Sequence, residues 1–412
     1  MLRAMQDDSK ELWLFTMRFP YGTGEAFIES ELPILLKHFR KVTLFPMLAD
    51  APMRDLPANV CVNVPVKDLF RSASLVECSR YARRLWQLIG SDFRRSLRHP
   101  SKFRERLALA RQLLHRMIVL EKEVFKNFRS NNTLIYSYWT SEWATVLGLV
   151  KYGRKHLQIF SRIHGFDLYE KEGGSFPFRE FQLQQIDRIF AVSDFGLNHL
   201  RQRHPAIASK VELAPLGTAD HGMGPIPADP IPTVVSCSSL IPLKRVDLIV
   251  RVLSIYPSPL RWIHFGSGEM FDRIQAMLPD LPQHIHVELK GNVPNTGLMN
   301  WYQQHSVDVM IHLSRMEGLP VALQEAASFG IPMLATDAGG VKEIVNEQTG
   351  TLLPNDPDPA AISLELQRLL QRSRSVAFRE GVRDFWLRHF NAAYNHDRFA
   401  RRLLQLHEHN LG

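Results

Sequence analysis

The chain has few cysteines and no long hydrophobic run. Its 412 residues contain three cysteines, Cys61, Cys78 and Cys237, which are far apart and odd in number. This usage argues against a disulfide framework and for a reducing compartment. No apolar run reaches the roughly eighteen residues that a membrane-spanning helix needs, so none is expected. The first eight residues include two aspartates where a secretion signal requires an apolar core, so we expect a cytoplasmic protein.

Several signatures of function are also missing. The sequence has neither a Walker phosphate loop nor a dinucleotide-binding fingerprint, and it shows no internal repeat. Asp356 and Asp358 form a D-x-D pattern, but they directly precede the predicted helix 359–370, where an aspartate caps a helix better than it chelates a cation. We therefore predict no metal site and no cofactor.

The positive charge is concentrated in one region. The net charge is +8, and residues 80–129 contain fourteen Lys and Arg against four acidic residues. Apolar and basic side chains alternate there in a helical pattern, which is typical of a helix lying on an anionic membrane surface. The alternative is a helix pair packed on the N-terminal sheet with a solvated basic face. No nucleic-acid-binding motif accompanies the charge, so nucleic acid is not expected as a partner. The apolar members are Tyr81, Leu85, Trp86, Leu88, Ile89 and Phe93, and the basic ones are Arg83, Arg84, Arg94, Arg95 and Arg98.

The pattern of strands and helices predicts an α/β fold. A strand at 11–17, a helix at 26–38 and a strand at 42–45 begin a β/α alternation that is typical of a doubly wound domain. The length allows two domains, and a segment rich in proline and glycine, 217–232, is the predicted linker. We therefore place an N-terminal domain at 1–216, with a basic helical insertion at about 79–130, and a second domain at 233–385.

Most of the residues that indicate a chemical function lie in one strand-helix-strand unit of the second domain. Apolar segments at 307–313 and 331–336 predict two buried strands, and Pro320 and Gly330 delimit a helix over 320–329. Such a unit belongs to a parallel sheet and places the helix N-terminus beside the carboxyl end of the first strand, where α/β sheets bind ligands.

The start of this helix suits a phosphate group. Backbone amides at Leu319, Val321 and Ala322 have no partner within the helix, and the helix dipole adds positive charge. Glu317 and Glu325 flank these amides, and a carboxylate can accept two hydrogen bonds from a vicinal diol. We therefore predict that Glu325 binds a ribose and Glu317 binds hydroxyls of a sugar. The alternative is that both are ordinary solvated acidic residues near a helix start.

A longer stretch of residue types resembles a known family. The matching residues are Glu317 to Ala326, Phe329 to Pro332, Ala335 to Gly340, and Glu343 with Ile344. They resemble the E-x7-E donor-binding region of the retaining glycosyltransferases of family 4. The resemblance implies the GT-B architecture, in which two Rossmann-like domains face each other across a cleft. It also implies that the second glutamate binds the ribose and the first lies against the transferred sugar, with the diphosphate near Gly318, Leu319, Pro320 and Val321.

The resemblance extends to the acceptor side of the first domain. The pattern of Arg162, His164, Gly165 and Asp167 is similar to the family segment whose histidine faces the acceptor. It implies that His164 is a site residue, with Asp167 and Arg162 as further candidates that could instead pair with each other. The glycine-containing loop after the first strand implies that Gly24 and Glu25 face the donor phosphate and the acceptor.

Further donor contacts are implied in the second domain. Lys244 matches a lysine that grips the diphosphate, but Ser239 stands where the family usually has an arginine, which leaves Arg245 as a second cation. The resemblance places the turn at Gly266 beside the nucleotide. It also places the loop of Gly291, Asn292 and Val293 beside the base.

These implications define an expected function. The resemblance implies a metal-independent, retaining transfer from a nucleotide-diphosphate sugar to a glycan or lipid-linked acceptor, with His164, Glu317 and Lys244 as catalytic residues. We expect a cytoplasmic enzyme, peripheral on the inner membrane face, in surface polysaccharide biosynthesis. The alternatives are a transferase for a soluble acceptor, such as a disaccharide synthase, and an inactive sugar-nucleotide sensor or scaffold. Helices at 386–412 are implied to cross back to the first domain, with a hinge at 382–389.

Overall fold

The computed structural model divides the chain into two compact units. It describes residues 10–22, 24–25, 27–97, 100–128, 132–168 and 176–409. The first unit comprises residues 1–192, 196–214 and 397–412, and the second comprises residues 193–195 and 215–396. The second unit thus continues past residue 385, where the sequence places its end. The described chain has the predicted α/β class with two parallel sheets.

The first unit is built on a parallel sheet with the strand order β3-β2-β1-β4-β5-β6-β7. Its strands are β1 (Glu11–Thr16), β2 (Lys41–Pro46), β3 (Val60–Val62), β4 (Thr133–Ser137), β5 (Ile159–Ile163), β6 (Arg188–Ala191) and β7 (Val211–Leu213). The helices up to residue 203 are α1 (Phe27–Leu35), α2 (Leu75–Arg80), α3 (Ala82–Leu97), α4 (Pro100–Glu123), α5 (Glu142–Gly153), α6 (Gly165–Leu168), α7 (Arg179–Gln185) and α8 (Asp194–Arg203).

Successive residues of β1 are buried on opposite faces of this sheet. Leu12 and Leu14 pack in a cluster with residues of α1 and of the C-terminal helix, whereas Phe15 packs in a second cluster with residues of α4 and α5. A parallel sheet covered on both faces needs apolar side chains on both sides, which explains the nearly continuous apolar strands.

The basic helices are packed on the first unit. Tyr81 and, from α3, Leu85, Leu88 and Ile89 contact its core, and the Arg84 guanidinium donates to Glu121 at 2.8 Å. The apolar face predicted to meet a membrane is therefore used inside the unit, although Trp86 is exposed. The side chains of Phe93, Arg94, Arg95 and Arg98 lie outside the described residues. Among the residues described, no helix has the length and hydropathy to cross a membrane.

The second unit contains another parallel sheet, with the strand order β10-β9-β8-β11-β12-β13. Its strands are β8 (Thr233–Cys237), β9 (Leu260–Phe265), β10 (Ile285–Leu289), β11 (Val309–His312), β12 (Met333–Thr336) and β13 (Gly350–Leu353). Its helices are α9 (Val246–Ser254), α10 (Phe271–Met277), α11 (Asn295–Gln304), α12 (Val321–Ser328), α13 (Pro359–Arg372) and α14 (Val376–His389), and α15 (Ala392–His409) ends the described chain. Residues 217–232 form neither helix nor strand beyond a single bridge at Thr218.

The structure bears on two local predictions, a cap at the start of α13 and a hinge within α14. The Asp358 carboxylate accepts the backbone N–H of Ala360 at 2.8 Å, so the expected helix cap is confirmed. Helix α14 runs continuously through 382–389, where the sequence predicts a hinge. Helix α14 ends at His389, and α15 begins at Ala392, so Phe390 and Asn391 connect the two helices.

Candidate functional site

The strand-helix-strand unit β11-α12-β12 forms as the sequence predicts. Strands β11 and β12 are parallel neighbours, and α12 begins directly after the loop that follows β11. Pro320 is the residue before the first helical turn rather than part of it, since its backbone is extended (φ −67°, ψ 118°). No side chain in the described part of the protein caps this helix start, so its first N–H groups lack a capping partner there.

The loop before α12 is hydrogen-bonded to the loop that follows β12. The N–H of Gly340 donates to the carbonyl of Gly318 at 3.0 Å. A Cβ added at Gly340 would lie 2.1 Å from that oxygen, so the close approach requires glycine. This contact fixes the backbone between Glu317 and the helix, which is where the sequence places a diphosphate.

Glu317 forms the centre of a polar cluster with a lysine and a histidine. Its Oε1 atom lies 2.5 Å from Lys244 Nζ and 2.8 Å from His312 Nε2. Burial alone would raise the pKa of this carboxyl, but the hydrogen bonds and charge of His312 and Lys244 lower the pKa to about 2. Glu317 is therefore ionised at neutral pH. His312 was missed in the sequence; its place at the end of a buried strand, next to the ligand-binding edge, was the available signal.

Glu325 lies within α12, in a different environment from Glu317. It is 7% exposed, and Asn295 Nδ2 donates to its Oε1 atom at 2.6 Å. Burial raises the pKa of Glu325 to about 7, although the hydrogen bond from Asn295 opposes this shift. The two glutamates of the motif thus have opposite pKa shifts. Asn295 was also missed, because nothing in the sequence shows that a residue thirty positions away faces Glu325.

Arg245 has a different role from the one that the sequence suggests. Its backbone is left-handed (φ 49°), and its guanidinium donates to the carbonyls of Leu313 at 2.6 Å, Asn355 at 2.7 Å and Ser314 at 3.1 Å. The side chain is 6% exposed. This geometry makes Arg245 a residue that ties two loops together rather than a second cation for a diphosphate.

Two turns at the ends of β9 and β10 support each other. Gly266 (φ 137°) donates its N–H to the carbonyl of Gly291 at 2.8 Å, and a Cβ on Gly266 would lie 1.9 Å from the carbonyl of Ser238. Gly291 has φ 64° and open space around its Cα. Beside it, Asn292 is exposed and Val293 half-buried. The structure thus brings the predicted nucleotide and base loops together at one sheet edge.

In the first unit, His164 lies among aromatic rings. Its ring centroid is 4.3 Å from that of Trp139 and 5.2 Å from that of Tyr138, and neither ring nitrogen has a hydrogen-bond partner among the described residues. Burial lowers the pKa of His164 well below its usual value, so the ring is neutral at neutral pH. The two ring nitrogens are buried, and a neutral imidazole can accept a hydrogen bond from a hydroxyl group or donate one to it.

Asp167 supports the backbone around His164. Its two carboxylate oxygens accept the N–H groups of His164 at 2.6 Å and Thr140 at 2.7 Å. Burial raises the pKa of Asp167 to about 7, against the lowering effect of these hydrogen bonds and of Arg179. Arg162 pairs with Glu31 at 2.8 Å and not with Asp167, which answers the alternative left open by the sequence. Asp167 is thus held by backbone groups rather than presented to an acceptor.

The Glu25 carboxylate likewise accepts hydrogen bonds from backbone N–H groups. Its carboxylate accepts the N–H groups of Arg18 at 2.7 Å, Phe19 at 2.6 Å and Met17 at 3.2 Å, and the indole N–H of Trp139. Both carboxylate oxygens are thus engaged by the protein's own N–H groups, and the acceptor contact expected from the sequence stays a prediction. The carbonyl of Gly24 accepts from Arg54, and a Cβ at Gly24 would meet no atom within 4 Å.

The family relationship follows from the second unit. Residues 227–383, which include the whole Glu317 and Glu325 site, match the family described as "Glycosyl transferases group 1". This match covers less than half of the chain but most of the second unit, and for these residues it confirms the family resemblance drawn from the E-x7-E region.

Known proteins resemble parts of the chain. It is 27% identical over 193 residues to a phosphatidylinositol N-acetylglucosaminyltransferase component of Arabidopsis thaliana, and the match covers 45% of this chain and 42% of that protein. It is 24% identical over 228 residues to a putative colanic acid biosynthesis glycosyltransferase, WcaL, of Escherichia coli K12, covering 52% of this chain and 55% of that protein. The chain therefore matches about half of the length of these relatives.

The fold resembles solved glycosyltransferase structures over nearly its full length. A sucrose-phosphate synthase from Thermosynechococcus elongatus superposes with a TM-score of 0.69 at 15% identity, covering 96% of this chain and 99% of the other. This likeness shows the fold, and with it the GT-B class that the sequence predicts.

Proposed function

We propose that this chain is a metal-independent, retaining glycosyltransferase that uses a nucleotide-diphosphate sugar as donor. The observation that carries the proposal is the uncapped start of α12, which follows Glu317 with its Lys244 contact in the chain and precedes Glu325 in the same helix. A helix start with free N–H groups attracts a phosphate, and a lysine adds the positive charge that a leaving diphosphate requires.

The donor occupies this site in three parts. The diphosphate lies on the N–H groups at the start of α12 and on Lys244, which exchanges its contact with Glu317 for one with phosphate. Glu325 accepts hydrogen bonds from the ribose. Glu317, which His312 continues to hold, accepts hydrogen bonds from the hydroxyls of the transferred sugar, and its ionised state at neutral pH suits that role.

The reaction keeps the configuration of the anomeric carbon. The bond from that carbon to the phosphate oxygen breaks, the acceptor oxygen attacks from the same face, and the acceptor proton passes to the departing phosphate. Lys244 and the amides of α12 stabilise the negative charge that develops on the leaving group. A glycosyl adduct trapped on any side chain would contradict this step, as would a product of inverted configuration.

The acceptor side belongs to the first unit. His164 offers ring nitrogens without a partner among the described residues, and its neighbour Trp139 is half-buried beside the exposed ring of Phe166. Aromatic faces of this kind pack against the apolar face of a sugar. We infer a glycan or lipid-linked acceptor, with His164 contacting the attacking hydroxyl.

The physiological role is proposed to be surface polysaccharide assembly on the inner face of the membrane. Relatives that match the chain include proteins named for O-antigen and colanic acid biosynthesis. The described surface also has four strongly exposed apolar side chains within a short segment that carries exposed arginines, Arg71, Arg80 and Arg83. They are Phe70, Leu75, Val76 and Trp86, at 70–82% exposure. This combination favours an anionic lipid surface.

Liposome co-sedimentation tests the membrane part. The wild-type protein should bind vesicles that contain anionic lipid more strongly than neutral vesicles, and the double change Leu75→Ser and Val76→Ser should weaken binding. Leu364→Ser is the matched control, because Leu364 is an exposed leucine of the second unit. Binding that is indifferent to lipid charge and to both changes would contradict membrane association and favour a soluble acceptor.

Release of nucleoside diphosphate from a panel of UDP-, GDP- and ADP-sugars tests the enzymatic proposal. One donor should turn over in the wild-type protein, and Glu325→Ala and Lys244→Ala should each reduce turnover by about tenfold or more, since each removes a charged contact. A sugar-nucleotide sensor is the second candidate, because the exposed Ser239 stands where the family resemblance implies an arginine. Tight donor binding without turnover would favour that candidate.

A further inference from the structure

A hydrogen bond joins the start of α11 in the second unit to the glutamate that is proposed to bind the ribose. Asn295 is the first residue of α11, directly after the loop that follows β10, and Glu325 lies within α12. Asn295 Nδ2 donates to Glu325 Oε1 at 2.6 Å. Asn295 is exposed, whereas Glu325 is almost fully buried, so the amide reaches the carboxylate from the solvent side.

Two other titratable groups of the described residues lie near Glu325, and both are uncharged. Cys237 at the end of β8 and Tyr302 on α11 both interact with Glu325 electrostatically. Burial raises the pKa of Cys237 to about 12 and that of Tyr302 well above its usual value, so both are neutral at neutral pH. Neither can supply positive charge to the carboxylate. Among the described residues, Asn295 is the side chain that donates a hydrogen bond to the Glu325 carboxylate.

We propose that Asn295 is a positioning residue for the donor, holding the Glu325 carboxylate in the orientation that accepts the ribose hydroxyls. The inference rests on the proposed function and adds a residue to it. By engaging one carboxylate oxygen, the amide restricts rotation of the group and directs it toward the nucleoside. It contacts no reacting atom, so its effect falls on nucleoside binding rather than on bond cleavage.

This role has a characteristic pH dependence. An ionised carboxylate accepts two hydrogen bonds from a diol, whereas a protonated one loses part of this capacity. Because burial raises the pKa of Glu325 to about 7, nucleotide affinity should increase as the pH rises through neutrality. The Asn295 hydrogen bond lowers that pKa, so its loss should move the midpoint of the affinity curve to higher pH.

The test is calorimetric titration of the full chain with UDP, GDP and inorganic pyrophosphate at several pH values. Asn295→Leu removes the amide at similar size, Asn295→Gln retains an amide donor, and Thr296→Ala changes an exposed neighbour as control. For the nucleotide that binds the wild-type protein, we expect Asn295→Leu to weaken binding about tenfold at neutral pH and to raise the midpoint, with partial recovery in Asn295→Gln. Pyrophosphate, which has no ribose, should bind both variants and wild type equally.

The outcomes separate this inference from the function on which it rests. If the wild-type protein binds neither nucleotide nor pyrophosphate, the proposed donor site is wrong, and this inference fails with it. If the wild type binds a nucleotide but Asn295→Leu leaves both its affinity and its midpoint unchanged, only the role of Asn295 is refuted. An equal loss of pyrophosphate affinity in Asn295→Leu would also refute it, because the residue would then act on the whole site.

Discussion

At the scale of single residues, the two motif glutamates differ because of their neighbours. Glu317 is held ionised by His312 and Lys244, whereas burial keeps Glu325 closer to its protonated form. Because the Glu317 carboxylate stays ionised between Lys244 and His312, it can accept hydrogen bonds from sugar hydroxyls. In the proposed donor complex Lys244 also contacts the diphosphate, so His312 is the constant partner of Glu317.

We predict that His312→Leu lowers turnover by about tenfold or more, because the buried Glu317 carboxylate loses a hydrogen-bond donor. The lost donor should also raise the pKa of Glu317, so activity should begin to fall at a higher pH on the acid side. Steady-state kinetics across the acid range measure both effects. His312→Asn, which retains an amide donor, should preserve most of the activity. Equal losses in both variants, with an unchanged pH profile, would contradict the positioning role.

Glu25 is predicted to stabilise the fold rather than bind the acceptor. Glu25→Ala leaves three backbone N–H groups and the Trp139 indole without their acceptor, which should cost about 2 kcal/mol or more of folding free energy. Thermal unfolding measures the loss, and binding of nucleoside diphosphate to the second unit should not change. A variant with wild-type stability and a raised acceptor KM would restore the sequence-based expectation.

At the scale of secondary-structure elements, the loop before α12 depends on a close backbone approach. Gly340→Ala should displace the Gly318 carbonyl, because the added Cβ would lie 2.1 Å from it, and donor binding should fall strongly. Gly381→Ala is the matched control: a Cβ there meets nothing within 4 Å, and alanine favours the helix α14 by up to about 1 kcal/mol. Equal donor affinity in both variants would show that this loop does not form the site.

The elements were more predictable than the contacts between them. The β11-α12-β12 unit was visible because apolar runs and the residues Pro320 and Gly330 mark its boundaries locally. Strand β3 was missed, since its three residues include the exposed Cys61 and give no pattern. The backbone contacts of Glu25 were not predictable, because they depend on how the chain folds around it.

At the scale of the whole molecule, the Glu325 site should make stability depend on pH. The pKa of Glu325 in the folded protein, about 7, lies above its usual value of 4.5. The folded state therefore binds this proton more tightly, and the associated stability is present at low pH and lost as the pH rises through about 7. Relative to Glu325→Gln, the wild-type protein should lose thermal stability between about pH 5 and about pH 8. A constant difference between the two proteins across this range would contradict the assigned environment.

The central claim is that a diphosphate binds at the start of α12 between the two glutamates. A crystal structure of the chain with the nucleoside diphosphate that it binds most tightly tests this claim most directly. We predict phosphate oxygens within hydrogen-bond distance of the N–H groups of Val321 or Ala322 and of Lys244 Nζ, with the ribose hydroxyls on Glu325. A nucleotide bound elsewhere, or a helix start that stays unoccupied at saturating nucleotide, would contradict the account.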